Sequence, residues 1–379
     1  MACILKVKKS RACGITEKIM NILAFESSCD ETSAAIVSRE GERFIVKSNI
    51  IASQVDTHRL YGGVVPEIAS RAHIEAISSI TYEALEVAKM TMDDIDAVAV
   101  TANPGLIGAL LVGVNFAKAL AIANNKPLVA VDHIKGHIAT CYLDEDGNVP
   151  TPPFLALTVS GGHTGIYLVE SYNNVKLVGS TRDDAIGESF DKIGRIIGIP
   201  YPAGKGFDAL SKEGFNEIVG ECDDYLKKYK KSAEYKSGEF TLPSPAVKDD
   251  SLDFSFSGLK TAAINLLHRY EQLGKELPRA RFAARYTFEA VEAVAKKIGM
   301  AIDMYGVKEI ALCGGVAANS HLRNRLRTLA DEKKIKLYTP PVSLCGDNGA
   351  MIGAQGYYEY IEGRFADSSL NASASDSID

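Results

Sequence analysis

The chain has 379 residues, 46% of them hydrophobic and 24% charged, a globular composition long enough to build two cores. No apolar run approaches the ~20 residues that a membrane-spanning helix needs, so we expect a soluble protein of the cytoplasm rather than one that spans a membrane. A formal net charge of -6 argues against a surface coated in basic residues for nucleic acid, and seven scattered cysteines without CxxC spacing argue against a disulfide framework.

Residues 1–19 are basic and nearly free of acids, and we expect a flexible extension, with Met20 opening the first strand. "NILAFESSCDETSAAIV" (Asn21 to Val37) reads as an apolar strand, a turn of small and hydroxyl residues, and a second apolar strand. "DAVAVTANPGLIGALLVG" (Asp96 to Gly113) reads as a buried strand, a small-residue loop and a helix. In "VDHIKGHIATCY" (Val131 to Tyr142), His133 and His137 stand four apart. On a helix they share one face, and both imidazoles can converge on one point. The spacing alone leaves two readings open, a metal site and an ordinary helical pair.

From Pro150 onward the same plan recurs in the same order. "FLALTVSGGHTGIYLV" (Phe154 to Val169) is a second hairpin, and its Ser160-Gly161-Gly162 turn offers consecutive N–H groups to an anion. "EIALCGGVAANSHLRNRL" (Glu309 to Leu326) is a second strand, loop and helix, with N–H groups at the helix start. Between them, residues 182–260 loosen into an expected helical insertion. It contains "GESFDKIGRIIGIPYPAGKGFD" (Gly187 to Asp208), where Asp191 and Asp208 are able to accept hydrogen bonds, and the charged "KKYKK" (Lys227 to Lys231).

"SLCGDNGAMIGAQG" (Ser343 to Gly356) places Asp347 before a helix of small residues. Asp347 reads either as an N-cap or, if the two halves close on each other, as a third ligand beside the histidines. A nitrogen, nitrogen and oxygen set with open positions suits Fe(II) or Zn(II). The tail from 366 to 379 is rich in Ser, Ala and Asp, and we expect it to be disordered.

The repeated hairpin and strand-loop-helix plan resembles the actin, sugar kinase and heat-shock chaperone superfamily, whose phosphate-binding hairpins face each other across a cleft. The expected fold is therefore α/β, a duplicated actin-like ATPase architecture. Its first half covers 20–150, its second half 151–347, and a C-terminal helix over 348–365 packs back on the first half.

At the level of whole motifs the chain resembles the tRNA N6-adenosine threonylcarbamoyltransferase family, formerly called O-sialoglycoprotein endopeptidases. The resemblance runs from about Asn21 to Gly363 and rests on "ESSCDETS", "GGVVPEIASRAH", "NPGLIGALLVG", "DHIKGH", "VSGGHT", "FDKIGR", "FSFSGLKTA", "CGGVAAN" and "GDNGAMI" in the family's order. It implies a metal, usually assigned as iron, on His133, His137 and Asp347. It implies that Thr158, Val159, Ser160, Gly161, Gly162, Asp191, Gly204, Asp208 and Asn319 bind threonylcarbamoyl-AMP. It implies transfer of the threonylcarbamoyl group to N6 of the adenosine 3′ of the anticodon, in tRNAs reading codons that start with A. Bacterial members work with a paralogous partner and a small ATPase. Where many members read Pro-Gly-Gly, this chain has "PAGKG" (Pro202 to Gly206), which keeps Gly204 and alters the backbone beside it.

Among rivals, a metalloprotease helix of the HExxH type needs Glu directly after the first His, and here Ile134 and Lys135 follow it. A kinase or ATPase of the same superfamily would use the phosphate-facing turns without needing the HxxxH pair. A non-catalytic scaffold would use the face of "LIGALLVGVNFAKALAIA" (Leu106 to Ala123) to pack on a partner. No residue identifies itself as the general base, and Asp30, Glu31 and Glu188 are the candidates. The net acidity leaves tRNA affinity either to "KKYKK", Arg195 and "HLRNRLR" (His321 to Arg327) near the cleft or to partner subunits.

Overall fold

The computed structural model describes residues 19–375 except Glu145, Glu239 and Lys248. The extension expected over 1–19 falls outside these residues apart from Ile19, and so does the tail's last stretch, 376–379.

The first half begins with three strands, β1 (Met20–Glu26), β2 (Glu31–Glu40) and β3 (Arg43–Ser53). Two helices follow, α1 (Val55–Arg59) and α2 (Pro66–Ala88), then β4 (Ala97–Asn103), α3 (Ile107–Ala123), β5 (Leu128–Asp132) and α4 (His133–Ala139). The sheet order is β3-β2-β1-β4-β5, antiparallel between the first three strands and parallel from β1 to β4 and β5. Helices cover the parallel part, which is why β1 and β4 are nearly continuous apolar runs rather than alternating ones.

The second half repeats this plan. It opens with β6 (Phe154–Val159), β7 (Thr164–Val169) and β8 (Val175–Ser180). A long helical stretch follows: α5 (Ile186–Ile196), α6 (Gly204–Val219), α7 (Tyr225–Lys231), α8 (Ala233–Ser237), α9 (Ser257–Gln272) and α10 (Arg279–Tyr305). Then come β9 (Glu309–Cys313), α11 (Ser320–Lys333), β10 (Lys336–Tyr338) and α12 (Gly349–Ile361). The order β8-β7-β6-β9-β10 is the first sheet's order again, with the same directions.

Helical structure therefore runs past the expected 182–260 to Tyr305. Helix α10 buries Phe282, Tyr286, Val294 and Ile298, spaced on one face, and so belongs to the second core.

The two halves meet through a shared apolar layer. Ala35, Val37 and Phe44 of the first sheet and Phe154, Ala156, Tyr167 and Val169 of the second pack with Ile134 and Ile138 of α4 and Ala350, Ala354 and Tyr358 of α12. Helix α12 sits close on the first sheet because Gly349, Gly353 and Gly356 present no side chain there. A Cβ at these positions would lie 2.8 Å from the Ala35 nitrogen, 2.7 Å from a Val37 methyl and 2.8 Å from the Ala99 Cβ respectively.

Residues 366–375 depart from the expected disorder. The Ala366 N–H donates to the Leu128 carbonyl at 2.8 Å, and the Ser373 N–H donates to the Ala102 carbonyl at 2.9 Å. Lys118 Nζ donates to the carbonyls of Ser368 (3.3 Å) and Leu370 (2.8 Å), while Ala366, Leu370 and Ala372 pack on the first core. Composition hid this packing because three small or isolated apolar side chains suffice when most of the hold is backbone hydrogen bonding.

Candidate metal centre and the facing turns

Helix α4 is fixed at its start by Asp132, whose Oδ1 accepts from the N–H groups of Ile134 (2.9 Å) and Lys135 (3.1 Å). Asn103 at the end of β4 donates to the other oxygen, Oδ2, at 2.6 Å. His133 and His137 follow, one turn apart, with ring centroids 4.5 Å from each other. Asp347 arrives from the loop before α12. The cap of α12 is Asn348, whose Oδ1 accepts from the Met351 N–H at 3.1 Å, so the Asp347 carboxylate is left to the site.

One ligand atom from each of His133, His137 and Asp347 lies within 4.8 Å of the others. Asp347 Oδ1 is 3.2 Å from His137 Nε2 and 3.7 Å from His133 Nε2. Both ring nitrogens of His137 are buried and neither makes a well-directed hydrogen bond: Nδ1 has no partner, and Nε2 has only the Asp347 carboxylate at 3.2 Å, off the line of a hydrogen bond. Two imidazoles, one carboxylate and an unpartnered buried nitrogen fit a divalent metal.

The electrostatics agree. Burial works against charge on His133, but Glu26 and Asp347 outweigh it and push the imidazole up to about 9. Burial would raise the Asp347 carboxyl, yet His133 and His137 hold it well below the usual carboxylate range. Such a pocket, charged and preorganised when empty, is poised to exchange protons for a cation.

The second-half turn reaches this centre. The Ser160 N–H donates to the His163 carbonyl (2.8 Å), the Ser160 Oγ accepts from the His163 N–H (3.0 Å), and the His163 ring lies 6.4 Å from the His133 ring. Gly161 and Gly162 face open space. Two close approaches brace the turn. The Gly187 N–H donates to the Ser160 carbonyl at 3.2 Å, and Gly314, at φ +91°, presses so near that a Cβ there would lie 2.4 Å from the Val159 oxygen. The first half does the same with Gly105 against Ser28, where the Leu106 N–H donates to the Ser28 carbonyl at 2.8 Å.

The remaining sequence-derived candidates differ in how free they are. Thr158 and Val159 end β6 and are fully buried, Thr158 against the Cys313 Sγ at 3.3 Å. Asp191, on α5, accepts from the Ala203 N–H at 2.7 Å, so the alanine that departs from the family pattern is itself held by a candidate ligand; burial raises this carboxyl. Gly204 opens α6 onto open space. Asp208 Oδ1 accepts from the Ser320 N–H and Asn319 Oδ1 from the Leu322 N–H, both at 2.9 Å, so each caps α11.

Of the candidate bases, Glu188 is paired with Lys192 at 2.7 Å and exposed. Asp30 is buried, and Glu31 is pushed up to about 10 by burial and by Asp347 and Asp30.

Sequence reasoning passed over Glu26, which is 1% exposed and has Oε2 3.1 Å from His133 Nδ1. Its only signal was a charge at the end of an apolar strand. Part of the expected basic surface is taken up by ion pairs and hydrogen bonds. Lys227, Lys228 and Lys230 stand 3.9, 3.0 and 3.5 Å from Glu332, Asp224 and Glu292, Arg325 pairs with Glu292, and Arg323 donates to the Pro340 carbonyl at 2.8 Å. No helix among the described residues is long and apolar enough to cross a membrane.

Comparison with known proteins identifies the family. The family described as "TsaD: tRNA N6-adenosine threonylcarbamoyltransferase" matches residues 45–354. A protein of that name from Clostridium botulinum (strain 657 / Type Ba4) is 47% identical over 353 residues, 93% of this chain and 96% of its own length. One from Moorella thermoacetica is 47% identical over 352 residues, 93% of this chain and 95% of its own length. Among solved structures, T. kodakarensis HypF superposes with a TM-score of 0.58 over 93% of this chain and 49% of that one, at 13% identity. That likeness concerns the fold alone, the duplicated actin-like α/β architecture. With relatives this similar over nearly their whole length, the chain belongs to the tRNA N6-adenosine threonylcarbamoyltransferase family and is a transferase that modifies tRNA.

Proposed function

We propose that the cleft transfers the threonylcarbamoyl group from threonylcarbamoyl-AMP to N6 of the adenosine 3′ of the anticodon, in tRNAs reading codons that start with A. The observation that carries this reading is the His133, His137 and Asp347 cluster beside the open Ser160–Gly162 turn. The exocyclic amine of adenine is a weak nucleophile because its lone pair is delocalised into the ring. An activated donor and strict positioning are therefore the needs of the reaction. Thr158, Val159, Ser160, Gly161 and Gly162 are read as the wall along the donor, with the N–H groups of Gly161 and Gly162 toward its phosphate, since that of Ser160 is held by the His163 carbonyl. Asp191, Gly204, Asp208 and Asn319 are read as the side that holds its nucleoside, the last two acting while they cap α11.

His133, His137 and Asp347 would hold one divalent metal; the donor set suits Fe(II) and Zn(II) alike, and it is the family resemblance that favours Fe(II). When bound, that metal supplies a Lewis acid close to where charge collects on the departing phosphate. The protease reading is disfavoured because the position directly after His133, where a metalloprotease helix carries its catalytic Glu, is the buried Ile134.

tRNA and a paralogous partner subunit with a small ATPase complete the assembly we propose, in the cytoplasm. Ile74, Tyr82 and Val87 of α2 and Ile107 and Ile122 of α3 are exposed apolar side chains of the first half, and such a partner could cover some of them. The ion-paired lysines of α7 favour shared tRNA binding.

The test supplies threonylcarbamoyl-AMP and unmodified tRNA, with partner subunits, to wild type, His133→Ala and Asp347→Ala, and measures modified adenosine. We expect each variant to lose more than ~100-fold, the scale of a lost metal's contribution. Unchanged transfer in both would remove the metal from the mechanism.

A further inference from the structure

We infer that Glu26 is a positioning residue for the metal centre. It fixes His133 with its Nδ1–H turned inward and its Nε2 turned toward Asp347 as the atom a metal would take in exchange for a proton. The inference rests on the metal reading above. The Glu26 carboxylate lies at the end of β1 and is 1% exposed. Oε1 accepts from the Ser28 N–H (2.5 Å), and Oε2 accepts from Thr101 Oγ1 (2.5 Å) and faces His133 Nδ1 (3.1 Å). Ser28 Oγ shares that nitrogen at 3.2 Å. An ionised carboxylate only accepts, so the proton between Glu26 and His133 belongs to Nδ1, and Nε2 is the atom left for a metal.

The duplicated fold supplies its own control. Glu26 ends the central strand of the first sheet opposite Ser33, one residue after Phe25 pairs with Val100. Val159 ends the central strand of the second sheet opposite Thr164, one residue after Thr158 pairs with Cys313. The same place in the architecture is thus filled by an apolar side chain where no histidine pair lies beside it. The strand end does not require a charge, and burying one is costly unless it is paired. What the first half has and the second lacks is His133. The two histidines differ in this respect, since His137 Nδ1 has no hydrogen-bond partner to hold it as Glu26 holds His133 Nδ1, and His137 Nε2 faces Asp347 at 3.2 Å.

The experiment titrates metal-stripped protein with Co(II), whose visible absorption reports the ligand set. Wild type is expected to bind, and Glu26→Gln, which keeps the volume, to bind about 10- to 100-fold more weakly with shifted absorption bands while its circular dichroism is unchanged. A folded Glu26→Gln protein with wild-type affinity and bands overturns the inference and leaves the metal reading intact. A wild type that takes up no Co(II) overturns both. A second measurement needs no variant: in Zn(II)-loaded wild type, nitrogen NMR of His133 is expected to show a protonated Nδ1 and a metal on Nε2. Metal on Nδ1 overturns the inference.

Discussion

Gly314 and Gly161 show how one residue type does two different jobs around the same turn. Gly314 combines φ +91° with a Val159 oxygen 2.4 Å from where a Cβ would sit, so Gly314→Ala should destabilise the protein by about 2–3 kcal/mol, read from its denaturant midpoint. Gly161 has nothing within 4 Å of its missing Cβ. Gly161→Ala should therefore leave stability within ~0.5 kcal/mol and weaken donor binding, seen as a raised KM for threonylcarbamoyl-AMP. An unchanged KM would take the turn out of the donor site. Legibility in the sequence follows the same line. His133 and His137 were visible because their spacing is local, and Asp347 because small residues mark its loop. Glu26 was not, because its meaning depends on a residue 107 positions away, and no local pattern encodes that pairing.

Helix α9 lacks a capping side chain of its own, since Phe256 stands at its N-cap position, and a distant carboxylate does the work. Asp183 Oδ1 accepts from the N–H groups of Phe256 (2.7 Å) and Ser257 (3.1 Å), and Oδ2 accepts from the hydroxyls of Ser255 (2.5 Å) and Ser257 (2.6 Å). Burial alone would raise this carboxyl, but these donors outweigh it and hold it below its ordinary value. The sign follows. The unfolded chain binds the proton more tightly, so the contribution is fully present above pH ~4 and disappears as pH falls through the lowered folded value. Asp183→Ala should cost about 1 kcal/mol at pH 7, a modest figure because solvent screens the site, and the gap to wild type should close on acidification. Denaturant curves at several pH values check it, and a gap that does not begin to narrow as pH falls below ~4 would assign the effect to packing instead. Asp208 and Asn319 make a related point for α11. Sequence placed them among donor ligands, whereas the folded chain also uses both as caps, a use invisible without knowing that α6 lies beside the start of α11.

Across the molecule, the duplication was the most legible feature, since two hairpins and two strand-loop-helix units in the same order imply two sheets of one topology. The layer of α4 and α12 between the sheets was less so, because their apolar residues pack on both halves at once and carry no one-sided stripe. Residues 366–375, whose composition suggests disorder, pack on the first half as a strap, and this carries a prediction. The strap runs from Leu128 at the start of β5 to Ala102 at the end of β4, next to Asn103, which holds the Asp132 cap of the histidine helix. Truncation after Phe365 removes two backbone hydrogen bonds, two from Lys118 and the half-buried Leu370. At about 0.5–1 kcal/mol for the net of each partly wet bond and ~1 for the leucine, offset by the entropy the strap regains, the loss should be about 1–3 kcal/mol. The Asn103–Asp132 bond does not depend on the strap, so Co(II) affinity of the truncated protein should stay within about threefold of wild type. A truncation that lowers stability and metal affinity together would instead make the strap part of the support for α4.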